Sequence, residues 1–149
     1  MCHLIAVIGQ TAAEIVYNRA DAKKDNMGLT NWGNSPDGKI LKSDVVIAKN
    51  YLNEKEIKDL NNLVNLFLDI AENNVERNIP MYMSDWKNEV ENALKVFHYE
   101  VLEGKGKISH KQAVNKAESE YEKYKVIQDK NYISDFDKLL NETKEIENK

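Results

Sequence analysis

Residues 53–78 read NEKEIKDLNNLVNLFLDIAENNVERN, and this stretch decides the fold class. Ile57, Leu60, Val64, Phe67, Leu68, Ala71 and Val75 recur at 3.6-residue spacing, which predicts one long amphipathic helix over about 54–78. Asn53 with Glu56 forms a capping box at its start, Leu52 and Ile57 hold the hydrophobic-staple positions around that cap, and Pro80 ends it. Leu63, Leu66 and Ile70 broaden the apolar stripe, so the helix is expected to touch more than one neighbour.

The same punctuation repeats on either side. Thr11 with Glu14 opens a helix over about 12–20, carrying Ala13, Val16, Tyr17 and Ala20 on one face. Ser43 with Asp44 opens a short helix to about Tyr51. Ser84 with Asp85 starts another, whose face is Trp86, Val90, Ala93, Leu94, Phe97 and Val101, with Gly104 at the C-cap position. Ser109 with Gln112 begins a helix to about Gln128, and Ser134 begins the last one, with Phe136, Leu140 and Thr143 on its inner side. Leu4–Ile8 is a short apolar run that suits a strand or a helical turn, and residues 145–149 are expected to fray.

Helical period vanishes between residues 21 and 42, where Gly28, Gly33, Pro36 and Gly38 accumulate. Leu29–Trp32 and Lys39–Leu41 flank the turn residues 33–38, which predicts a small β-hairpin inside a loop insertion at about 22–42. The expected architecture is mainly α: one compact bundle of about six helices with one small β-hairpin, a single domain over residues 1–149.

Composition narrows the function classes. The chain has 149 residues, 42% of them hydrophobic, without a run near 18 apolar residues; a soluble globular protein with no membrane span is expected. Met1–Ile8 lacks a basic n-region and a cleavage site, which predicts a cytoplasmic protein. One cysteine, Cys2, excludes an internal disulfide and a cysteine zinc cluster. His3, His98 and His110 lie too far apart for a helical metal pair, and neither a nucleophile elbow nor a P-loop is present, so no cofactor and no metal are expected. Net charge is −4, and of the 21 basic residues only Arg19 and Arg77 are arginines, which argues against nucleic acid as a partner. The lysines between 107 and 130 alternate with acids, the pattern of a solvated helix face.

Two constellations invite a sharper reading. Asp135 and Asp137 are close enough to bind Mg²⁺, yet both follow Ser134, where the positive end of a helix favours acids, and the capping reading is the stronger. Glu14, Arg19 and Asp21 lie beside a loop containing Asn26, Thr30 and Trp32; a ligand or partner site, if the chain has one, is expected there. Such groups also pin loops, and that reading is favoured. Phe97, Tyr121, Tyr124 and Phe136 fall at helical spacing and are assigned to the core.

Several blocks then share one resemblance: Thr11–Ile15, Asn18–Ala22, Asn26–Thr30 with Trp32, Lys42–Val45, Ile47–Leu52, Leu68-Asp69 with Ala71-Glu72, Met81 with Met83 and Asp85-Trp86, Gly106–Ser109, Glu120-Tyr121 and Ser134–Asp137. In order and spacing they resemble the C-terminal region of the RhuM family of virulence-associated bacterial proteins, over about residues 5–138. The resemblance implies an origin in horizontally acquired bacterial or phage DNA. It also implies that longer relatives carry an upstream part similar to phage-type DNA-binding or antirepressor modules, without a counterpart here. It supplies no catalytic residue. The expected function is a non-catalytic helical interaction or regulatory module with an unidentified protein partner, and the wide 54–78 face leaves a homodimer open. A toxin- or effector-type enzyme with a site near Arg19 and Glu14, or a DNA-associated regulator that lost its N-terminal part, are the alternatives.

Overall fold

The computed structural model describes residues 8–99, 104 and 106–147; Cys2, His3 and nearly all of the Leu4–Ile8 run lie outside them. Among the described residues five α-helices have defined bounds: α1 (Ala12–Arg19), α2 (Glu54–Glu76), α3 (Met83–Val96), α4 (His110–Asn131) and α5 (Asp135–Glu147). The long loop from α1 to α2 contains two single 3-10 turns, Asp25–Gly28 and Ala48–Tyr51. No helix among the described residues is long and apolar enough to cross a membrane.

The three capping boxes form. At α1, Thr11 Oγ1 accepts from the Glu14 N–H at 3.1 Å while Glu14 Oε2 accepts from the Thr11 N–H at 2.9 Å. Asn53 with Glu56 does the same for α2, and Ser109 with Gln112 for α4. Each box satisfies two backbone donors that the first helical turn leaves without partners.

Apolar side chains gather in two clusters. The first joins Ile15 and Val16 of α1, Met27, Leu29, Trp32, Ile40, Val45, Tyr51 and Leu52 of the long loop, and Ala113, Ala117 and Tyr121 of α4. Small Ala113 and Ala117 let the α1 backbone lie close to α4. Leu60 on the second turn of α2 completes that cluster, and the same helix then leaves it. Farther along α2, Leu63 and Phe67 pack against Ala93 and Leu94 of α3, with the Phe67 and Trp86 rings edge to face at 6.4 Å. The α2–α3 pair is thus a helical hairpin with its own apolar centre.

The expectation of about six helices with a β-hairpin is corrected here: among the described residues there are five α-helices and no strand. The two flanks of the expected hairpin find other partners. Thr30 N–H donates to Asn50 O at 2.7 Å, and Ile40 N–H donates to the side-chain Oε1 of Gln128 on α4 at 2.8 Å. Gln128 Nε2 returns a hydrogen bond to Ile40 O at 3.1 Å, so one amide side chain takes the place of a neighbouring strand for one residue. Trp32 folds back over the turn, its indole N–H donating to Gly38 O at 2.8 Å. The short helix expected at Ser43 is likewise replaced by turns and a 3-10 segment. Asp44 is buried, and its carboxylate accepts from the N–H groups of Gly33 and Leu41, which ties the two sides of that loop together.

Both later helices differ from expectation at their apolar faces. α3 starts from Tyr82, whose N–H donates to the Asp85 carboxylate at 2.9 Å, and it stops at Val96 before a left-handed His98. Phe97 is 44% exposed, and Val101 lies outside the described residues. On α5, Phe136 and Leu140 point to solvent and not to a core, with Phe136 68% exposed. Periodicity locates such a stripe but does not supply the neighbour that would cover it. Tyr121 is buried and Tyr124 half-buried, as their spacing suggested.

Candidate functional site

Arg19 ends α1 and reaches the start of α2. Its Nη1 donates to Glu56 Oε2 at 2.7 Å and to Tyr51 O at 2.9 Å, and its Nη2 donates to Glu56 Oε1 at 2.7 Å. This two-pronged geometry is one that guanidinium provides and ammonium does not. Glu56 is also the capping residue of α2, so a single carboxylate closes the helix start and anchors the end of α1. The Arg19 guanidinium holds the Glu56 carboxyl below the usual range.

Glu14 serves a different contact. Its Oε1 accepts from the Lys107 N–H at 2.8 Å, joining α1 to the segment that leads into α4. The N–H groups of Lys107 and Thr11 keep its carboxyl below the ordinary range. A Cβ on Gly106 would stand 2.5 Å from Thr11 Cγ2, so the bare glycine is what lets that segment lie against the start of α1.

The other four residues singled out from the sequence are spread along the loop. Asp21 Oδ1 accepts from the Lys23 N–H at 2.9 Å. Asn26 contributes left-handed backbone, φ 51°, followed by Met27 at φ 58°, whose side chain is fully buried. Thr30 donates through its hydroxyl to Leu52 O and Asn50 O. Trp32 is buried, with its N–H engaged by Gly38. Glu14 and Arg19 therefore do not converge on one cleft: Glu14 pins the segment before α4, and Arg19 pins the start of α2. Asp21 and Asn26 border open depressions of about 380 and 530 Å³ against α4, formed with Lys116, Glu120 and Tyr124.

Residues the sequence reading passed over do comparable work. Glu120 Oε2 accepts from the Ala22 N–H at 2.9 Å, which with Lys123 holds its carboxyl below the ordinary range, and Gln128 and Asp44 hold the loop as described. No local pattern marks the Glu120 and Gln128 contacts, because they span 98 and 88 residues. Three lysines of the loop and α4 meet acids or carbonyls: Lys39 with Asp129, Lys42 with Glu118, and Lys116 with Ala20 O. At α5, Asp137 accepts from the Ser134 hydroxyl at 2.6 Å while the Ser134 Oγ accepts from the Asp137 N–H; the Asp135 side chain lies outside what is described. Among the described residues no group of three or more His, Cys, Asp or Glu is placed to hold a metal ion.

Three carboxylates, Glu14, Glu56 and Glu120, have folded pKa values below their ordinary ones. Their contribution is therefore present above the ordinary glutamate value of about 4.3 and is lost as pH falls through the lower folded values. The thermal midpoint is expected to stay level from about pH 7 to pH 5 and to drop below about pH 4. A midpoint that is still level at pH 2 would contradict these pairings.

The apolar surface lies elsewhere. A groove of about 350 Å³ runs along the α2–α3 hairpin, lined by Val64, Phe67, Leu68, Trp86 and Val90. Leu68 of that lining is 62% exposed, and Val75, two turns farther along α2, is 75% exposed. Leu63, Leu66 and Ile70, which broaden the apolar stripe, are packed within the hairpin, Leu63 fully so. The uncovered edge of the wide stripe is Val64, Leu68 and Val75. A second cleft, about 270 Å³, lies between α1, the Ala48–Tyr51 turn and α4, and is lined mainly by alanines and valines with Lys49 and His110.

Comparison with known proteins gives one positive finding. The family model described as Virulence protein RhuM family matches residues 3–133. No curated protein and no solved structure matches. That match spans the capped α1, the pinned loop, the α2–α3 hairpin and α4, and on it the chain belongs to the RhuM family of virulence proteins.

Proposed function

We propose that this chain is a non-catalytic interaction module, working in the cytoplasm, whose docking surface is the α2–α3 hairpin. The observation that carries the reading is the groove lined by Val64, Phe67, Leu68, Trp86 and Val90, open to solvent on a hairpin whose opposite contacts are already satisfied. The polar residues that sequence reading favoured support it from the other side, since Glu14, Arg19, Thr30 and Trp32 are engaged in holding the loop. A toxin-type enzyme at Arg19 and Glu14 gains no specific support from two residues that face different contacts. A DNA-associated regulator gains none from a chain of net charge −4 in which Lys39 and Lys42 are paired with acids.

A photoreactive amino acid in place of Leu68, activated in the native cell, is expected to trap a protein. The same residue in place of exposed Lys111 on α4 is expected to trap none. Equal trapping at both positions, or none at Leu68, would count against the hairpin as the docking surface.

A further inference from the structure

The charge of the hairpin says what kind of partner fits the groove. Between residues 59 and 96 the sequence has seven acidic and three basic residues, so this segment carries the whole net charge of −4, and the rest of the chain has eighteen of each sign. On α2 from Asp59 to Glu76 there are four acids and no lysine or arginine. Glu72 stands one turn after exposed Leu68, and Glu76 adjoins exposed Val75. On α3, Glu91 and Lys87 follow the groove residues Val90 and Trp86. Asp85 and Glu89 line a separate depression, which leaves Glu72, Glu76 and Glu91, with Lys87, as the charged residues spaced next to the apolar floor of the groove.

We infer that the α2–α3 groove receives a basic amphipathic helix of another protein, its apolar face on Val64, Leu68, Trp86 and Val90 and its lysines or arginines toward Glu72, Glu76 and Glu91. This rests on the reading of the hairpin as a docking surface and adds the chemistry of the occupant. Helix-in-groove recognition uses apolar anchors one turn apart for affinity, and flanking charges of opposite sign for orientation and rate. Long basic side chains suit the edges because their stems cover apolar surface while the charged heads stay hydrated. The chain's own spare helix is the wrong sign for the role: α5 exposes Phe136, Leu139, Leu140 and Ile146, but it carries five acids against two lysines. A second copy of the hairpin is also the wrong sign, since it would bring another net −4 against the first.

The test uses the whole chain and two synthetic helical peptides of about four turns, one of leucine and lysine and one of leucine and glutamate, by titration calorimetry. The leucine–lysine peptide is expected to bind and its glutamate twin to fail. Leu68→Asp is the decisive variant because it adds a negative charge while removing an anchor. Docking in the groove predicts binding weaker by about tenfold or more. Attraction by bare charge predicts binding unchanged or tighter, and that result overturns the inference. Leu68 is exposed, so the variant is expected to keep its circular dichroism and melting midpoint, and Glu72→Lys gives a second, surface-only variant that should also weaken binding. Failure of the leucine–lysine peptide overturns the basic occupant. In that event, binding of the glutamate twin, or a Leu68-dependent dimer in light scattering, leaves the hairpin a docking surface with a different occupant, whereas silence in all three removes the docking reading as well.

Discussion

Gly28→Ala is expected to lower the stability of this protein by about 3 kcal/mol, the larger part of what a marginal domain possesses. Gly28 sits at φ +83°, where an alanine is strained by about 1 kcal/mol before any contact is considered. A Cβ there would also lie 2.4 Å from the backbone oxygen of Arg19. Backbone cannot rotate away as a flexible side chain would, and Arg19 is itself held by Glu56 and Tyr51. The 3-10 turn would have to shift as a whole, and with it Met27, which is fully buried in the first apolar cluster. Urea unfolding followed by circular dichroism should show the midpoint lower by about 1–2 M for a domain of this size. A loss under about 0.5 kcal/mol would mean that the loop yields easily and that the first cluster does not depend on it.

Arg19→Ala comes next, at about 2 kcal/mol, because one substitution removes a bidentate pair, leaves Tyr51 O without this donor and leaves the Glu56 carboxylate with the Asn53 N–H alone. The pair is partly exposed, 27% for Arg19 and 19% for Glu56, so screening holds the figure below that of a fully buried ion pair. Arg19→Lys should recover only a fraction, since an ammonium reaches one of the partners at a time. Two further readouts separate a fold pin from a binding residue. The Glu56 carboxyl should titrate closer to its ordinary value once the guanidinium is gone, as seen by NMR, and the leucine–lysine peptide should bind the variant as it binds the parent. An unchanged melting midpoint together with lost cross-linking at Leu68 would reverse the assignment and return the partner site to the Arg19 loop.

These two residues show how much of the site was legible. Arg19 stands out in the sequence as a charged group at a loop–helix junction, a place where such a group pins a loop. Its partner Glu56 was also visible, but only as a capping residue, because the contact joins positions 37 apart in the chain. Gln128 and Ile40 make the same point at a separation of 88. Local chemistry announced a β-hairpin around Pro36, since a Pro-Asp-Gly turn between apolar flanks is its usual mark. A distant amide then took the hydrogen bonds that a second strand would have used.

Local regularities made the helices readable: capping needs a hydroxyl or amide three residues from its partner, and an amphipathic face needs apolar residues every three to four positions. Both conditions are met within a few residues, so Thr11, Asn53, Ser109 and Ser134 marked helix starts by themselves. Which face of a helix is covered is a different kind of quantity. It depends on where other parts of the chain arrive, and so only the folded molecule shows that Leu63 is enclosed while Leu68 and Phe136 meet water. Spacing along a chain is a short-range property that residues declare one turn at a time, whereas burial is a sum over neighbours that the tertiary fold alone supplies.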